Sequence, residues 1–178
     1  MVDLVQSTRD RGLTALFEGF FGAAWFGWAQ ATAPARLGGW LTAGSIVSLL
    51  VAAAGAAVAV RAPGPPSAMR DRAAARRYGI VVGVEFGLAG VGAVALALLG
   101  WADYIPVWVC LVVGVHFFAL VTPLRDRSLV PLGVLMCAVA GAALVTAAIS
   151  DVAPGTVTGI GAGTLLLVFA VIALVRTI

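Results

Sequence analysis

Apolar runs of about twenty residues recur from one end of this chain to the other, and each is long enough to cross roughly 30 Å of hydrocarbon as a helix. Between them stand short polar breaks carrying proline, glycine or arginine. No lipid-exposed backbone can leave its N–H and C=O groups unpaired. An unbroken apolar run of this length is therefore read as a helix, and a series of them as an all-α bundle. Composition agrees: 62% of the 178 residues are hydrophobic and 11% are charged, where soluble domains carry about a quarter charged residues. The expectation is one integral membrane domain over residues 1–178, a polytopic six-helix bundle with the lipid bilayer as its first partner.

The six spans are expected near residues 12–33, 37–60, 78–99, 105–122, 129–149 and 156–175. The connection RAPGPPSAMRDRAAARR, residues 61–77, is rich in proline and glycine at its start and basic after that. Its second half is expected to form a short interfacial helix ahead of the third span. The N-terminal segment has the outline of a signal peptide, but Glu18 interrupts its apolar part, so it is read as a retained first helix.

All eleven basic residues are arginines, and their placement suggests an orientation. With the N-terminus in the cytoplasm, Arg9, Arg11, Arg61, Arg70, Arg72, Arg76, Arg77, Arg125, Arg127 and Arg176 fall inside and Arg36 alone falls outside. That split follows the bias of short cytoplasmic loops toward Arg and Lys. Trp25, Trp28, Trp40, Trp101, Trp108 and Tyr104 then all lie in the outer half, where amphipathic rings favour the headgroup level. Both termini are expected in the cytoplasm, in a bacterial inner membrane. Nucleic acid is not an expected partner, because the arginines form loop clusters rather than a basic face with interleaved aromatics.

Three helical hairpins in series are legible, each with a polar residue before a proline in its outer turn: Gln30 and Pro34, Asp103 and Pro106, Asp151 and Pro154. Small residues recur every fourth position in Gly79, Gly83 and Gly87, in Gly155, Gly159 and Gly163, in Gly19, Ala23 and Gly27, and in Gly133, Cys137 and Gly141. Such stripes let helix backbones approach closely, either inside the bundle or between copies of a homo-oligomer. Cys110 and Cys137 have no metal-binding or disulfide spacing and are read as packing residues.

Three ionisable residues fall inside the expected spans. Glu18 is seven residues beyond Arg11, Glu85 eight beyond Arg77, and His116 nine before Arg125. At about 1.5 Å per residue those depths are roughly 10, 12 and 13 Å, so three helices present an ionisable group in one layer. Charge at the bilayer centre costs about 2.5–3.5 kcal/mol on insertion scales, so such groups face the interior and find partners. The layer is a candidate proton or ligand site, or else a polar clamp between helices. Glu18, Phe21, Trp25 and Trp28 follow i, i+3, i+7, i+10 spacing. A carboxylate below that column of rings would suit an organic cation; the other reading is an aromatic packing ridge. Neither a resident metal nor a cofactor is expected, since no two ligands share a helix at chelating spacing. No catalytic residue stands out, because Ser45 and Ser48 lack a nucleophile-elbow pattern.

The stretch YIPVWVCLVVGVHFFAL resembles a group of small uncharacterised bacterial six-helix integral membrane proteins. In these a proline opens a helix that ends in a V-G-x-H-F-x-x-L pattern, matched by Pro106, Val113, Gly114, His116, Phe117 and Leu120. An intramembrane glutamate in the preceding helix, as at Glu85, also fits. The resemblance implies the fold and brings no activity. The three-hairpin plan is similar in outline to small acid-resistance membrane proteins, without a motif match. Two functions remain expected: a proton-linked or small-solute carrier (or ligand-binding membrane protein) built on Glu18, Glu85 and His116, and an accessory subunit of a larger membrane complex. An enzyme ranks behind both.

Overall fold

The computed structural model describes residues 7–64, 72–124 and 126–176, and among them six α-helices and no strand. They are α1 (Thr8–Gln30), α2 (Gly38–Arg61), α3 (Arg72–Leu98), α4 (Ile105–Leu124), α5 (Leu129–Ile149) and α6 (Pro154–Val175). Five of them, α2 to α6, are long and apolar enough to cross a membrane. α1 falls short in apolarity, because Glu18, Gln30 and two tryptophans dilute its hydrocarbon.

Local chemistry sets the helix ends. α1 starts at Thr8 rather than residue 12 because Ser7 and Asp10 form a capping box. The Ser7 hydroxyl accepts from the Asp10 N–H, and the Asp10 carboxylate accepts from the Ser7 N–H at 3.1 Å, which satisfies two orphan donors at once. Residues Arg72–Arg77 do not form a separate interfacial helix. With no glycine or proline between Arg72 and Tyr78, the basic segment continues directly into α3 as its first turns. α3 ends on Gly100, whose φ of 78° favours glycine. The Trp101 N–H then bonds the Leu96 carbonyl and the Gly100 N–H that of Ala97, the paired closure of a Schellman cap. Pro106 and Pro154 lie in the first turns of α4 and α6, where a missing N–H costs nothing.

Around the bundle the order of packing is α2, α1, α6, α5, α4, α3, with α6 also touching α2 and α4. α6 is therefore the hub, and α3 is peripheral, packing on α4 as its main neighbour. No residue in the apolar stretch of α3 is buried. The principal core lies among α4, α5 and α6, built on Cys110, Phe117, Leu132, Met136 and Leu166, with Trp25 of α1 reaching into it. A smaller cluster of Phe26, Ala29 and Leu41 ties α1 to α2.

Glycine makes the tight crossings possible. A Cβ on Gly55 would lie 2.6 Å from the Leu16 nitrogen and 2.7 Å from the Gly12 oxygen, and one on Gly19 2.7 Å from the Ser48 oxygen. At the α1–α6 crossing a Cβ on Gly159 would lie 2.7 Å from the Trp25 oxygen. Gly114 and Gly133 play the same part between α4 and α5, with Cys137 filling the space beside Gly114. These glycines serve packing within the bundle, whereas Gly27 and Gly141, at the ends of their stripes, meet nothing within 4 Å. The Gly79, Gly83 and Gly87 stripe is different: nothing lies within 4 Å of a Cβ at any of the three.

Gly92 is the exception on α3. A Cβ there would fall inside the indole of Trp108, whose Nε1–H donates to the Leu88 carbonyl at 3.0 Å. The missing side chain is thus the notch into which α4 plugs α3. Gly92→Val is expected to expel the indole at a cost of about 1–3 kcal/mol. Hydrogen exchange should then show faster exchange along α3 with protection of α5 and α6 unchanged. Uniform loss of protection would show that α3 is not separately docked.

Candidate functional site

Glu85 and His116 meet between α3 and α4. Nδ1 of His116 lies 3.1 Å from Oε2 of Glu85, and the two side chains are 9% and 14% exposed. The distance is that of an ion pair, but the approach is too bent for a hydrogen bond. Nδ1 has no hydrogen-bond partner among the described residues. The pair forms because α3 and α4 are joined by a short turn and run antiparallel. Residues at matched depth on facing sides of such a hairpin must come together.

The pair sits in a groove of about 400 Å³, within the range of small-molecule sites. Val81, Val84, Leu88, Leu111, Val112 and Trp108 form most of its wall. Two exchangeable protons and two acceptor positions are therefore held in an otherwise apolar recess. Chemically, such a centre can hold or release a proton, or receive one polar group of a ligand.

Glu18 is elsewhere. α1 packs on α2 and α6 rather than on α3, and Glu18 is 6% exposed within the bundle. Its electrostatic neighbour is Asp126, in the connection between α4 and α5. Asp126 is itself buried and accepts from the Ser128 N–H at 2.8 Å and the Ser128 hydroxyl at 2.6 Å. Oε2 of Glu18 has no hydrogen-bond partner among the described residues. The three ionisable residues thus divide into a pair, Glu85 with His116, and a separate buried carboxyl. Nothing in the sequence singles out Asp126. Its position beside an Arg-rich turn resembles any solvated loop residue, and only its burial sets it apart.

The aromatic column on α1 also divides. Trp25 and Trp28 stack, with ring centroids 5.3 Å apart and planes at 21°, but Trp25 belongs to the core. Phe21 is 43% exposed and packs edge-on with Phe20. A helix turns about 100° per residue, so Phe21 sits some 60° around from Glu18, enough to take it past the edge of the buried face. Among the described residues no group of three or more His, Cys, Asp or Glu side chains could hold a metal ion. Ser45 donates to the Ala23 carbonyl at 3.3 Å and so serves the α1–α2 contact.

The opposite ends of the bundle differ in charge. Arg9 donates to the Gly64 carbonyl at 2.6 Å, and Arg11 donates to the Arg176 carbonyl, which joins the start of α1 to the ends of α2 and α6. Arg72, Arg76, Arg77 and Arg127 share that end by the up-and-down course of the helices, and Arg36 lies at the other. Arg70 and Arg125 lie outside the described residues. At the Arg36 end, the hydroxyls of Thr32 and Thr156 bond at 3.1 Å and hold α1 against the start of α6.

No family model, no curated protein and no solved structure matches this chain. The fold defines a multi-pass helical membrane protein; anything finer rests on the residues themselves.

Proposed function

We propose that the chain is a six-span protein of a bacterial inner membrane and that the Glu85–His116 pair is its working centre, the proton-exchanging site of a small-solute carrier or ligand-binding membrane protein. The observation that carries this reading is an acid–base pair 3.1 Å apart inside an apolar groove, near the middle of helices that are otherwise hydrocarbon. Ionisable groups at such depth mark substrate paths and proton relays more often than they serve packing alone. α1 completes the bundle as the sixth span, with Glu18 turned inward. The one-sided arginines support an orientation with both termini in the cytoplasm.

A second reading, an accessory subunit with no chemistry of its own, is favoured by the bare Gly79, Gly83 and Gly87 face of α3. A larger complex, or another copy of the chain, could pack there.

The test is thermal stability of the purified protein from about pH 5 to pH 8, the range in which an imidazole ordinarily titrates. Wild type would be compared with Glu85→Gln and His116→Ala. On the working-centre reading wild type shows a pH response of a few degrees, and both variants fold and lose it. If both variants melt well below wild type at every pH, the pair is a clamp and the accessory reading replaces this one.

A further inference from the structure

The groove around Glu85 and His116 is open on the side that a membrane would cover with acyl chains. Ile80, Val84, Leu88, Leu111 and Val115 line it, and each is also exposed on the outer surface of the bundle. Glu85 lies eight residues beyond Arg77, about 12 Å into the helix, so the opening faces hydrocarbon rather than either aqueous phase. Only two helices build it, and Trp108, which anchors α3 at Gly92, closes one end. A water-soluble solute would have to cross lipid to arrive there; a lipid-soluble one is already present.

The chemistry of the walls narrows the class further. Of the lining side chains only Glu85 and His116 ionise, and no arginine is among them. An anion would therefore meet a carboxylate and no permanent positive charge, in a medium where unpaired charge is costly. A cation finds a carboxylate whose one potentially cationic neighbour in the groove is His116, and that charge is lost when the proton leaves the pair. A hydrophobic body then replaces acyl chains along Ile80, Val84 and Val115 without loss of apolar contact.

Building on the working-centre reading above, we propose that the groove takes a lipid-soluble organic cation or protonated amine sideways from the bilayer, with its charge set against Glu85. The cation replaces the proton held by the Glu85–His116 pair, and that proton leaves in the direction of the arginine end of α3, past Tyr78, which stands two turns before Glu85 and within its electrostatic reach, to the water beyond. Exchange of one positive charge for another keeps the site's net charge constant, which favours release as well as capture.

Tetraphenylphosphonium and tetraphenylborate, of closely similar shape and opposite charge, make the decisive probes. In equilibrium dialysis with the full chain in lipid nanodiscs, tetraphenylphosphonium is expected to bind saturably and tetraphenylborate at least about tenfold more weakly. Glu85→Gln should reduce phosphonium binding at least tenfold, a loss of about 1.4 kcal/mol or more. Val115→Trp fills an exposed part of the groove and keeps both ionisable groups in the chain. It should block the phosphonium ion, and so keeps the proposal open to refutation if Glu85→Gln misfolds. Equal binding of the two ions, or binding indifferent to both substitutions, overturns the proposal. A pH response that persists while the phosphonium ion fails to bind overturns the cation assignment alone; absence of the pH response overturns the working-centre reading itself.

Discussion

Leucine in place of Gly55 is expected to lower the stability of the protein by about 3 kcal/mol or more, roughly 6–12 °C in melting temperature for a chain of this size. A side chain at this position meets the Leu16 nitrogen, the Gly12 oxygen and the Ala15 Cβ, all within 2.9 Å. Two of those three atoms are backbone, so no rotamer change makes room and α1 must move off α2. That matters more in a membrane than in water. Lipid is as apolar as the helix faces, so close van der Waals contact supplies much of what holds the helices together. Leucine in place of Gly83 is the matched control. It adds the same side chain to the same kind of glycine stripe, but with nothing within 4 Å it should leave the melting temperature of the isolated protein within a degree or two. Comparable losses in both variants would mean that the α3 face is covered in the working protein, and they would move weight to the accessory reading.

How far the sequence could be read follows from which coordinate each signal carries. Apolar run length speaks to position along the membrane normal, and the starts expected at 105 and 129 coincide with those of α4 and α5. The apolar pattern puts the start of α1 four residues late, because the Ser7–Asp10 cap lies upstream of it. A cap is a local polar motif that hydropathy does not register. The basic segment has no independence from α3, since charge alone does not end a helix; a breaker does, and none lies between Arg72 and Tyr78. Depth also placed Glu18, Glu85 and His116 at one level, but depth carries no azimuth. For Glu85 and His116 the missing angle is constrained by the hairpin, because a short turn forces α3 and α4 to be neighbours. No such loop relates α1 to α3, and the bundle places α1 between α2 and α6. That arrangement is a property of all six helices packing together, and no single window of residues encodes it.

The same geometry makes an unusual demand of Glu18. Its Oε2 is buried without a hydrogen-bond partner among the described residues, and the carboxylate of Asp126 is near enough to add repulsion. A buried polar atom left unsatisfied costs about 1–3 kcal/mol, and its replacement by an apolar group of similar shape is often stabilising. Glu18→Met, which preserves length and flexibility, is therefore expected to raise the melting temperature by several degrees. Glu18→Gln removes the repulsion but keeps a polar end to be satisfied, so it should fall between Met and wild type. Thermal unfolding of the three proteins side by side decides the matter. If Met is the least stable of the three, Glu18 has a stabilising partner in solution, and the burial of this carboxyl is compensated rather than tolerated. If Met is the most stable, the chain keeps a destabilising acid where a neutral residue would pack better, which is the pattern left by function opposing stability. Repeating the pH series on Glu85 and His116 in that stabilised background then shows whether the second buried carboxyl belongs to the proposed proton site: a response that disappears with Glu18 links the two, and one that survives confines the response to the groove.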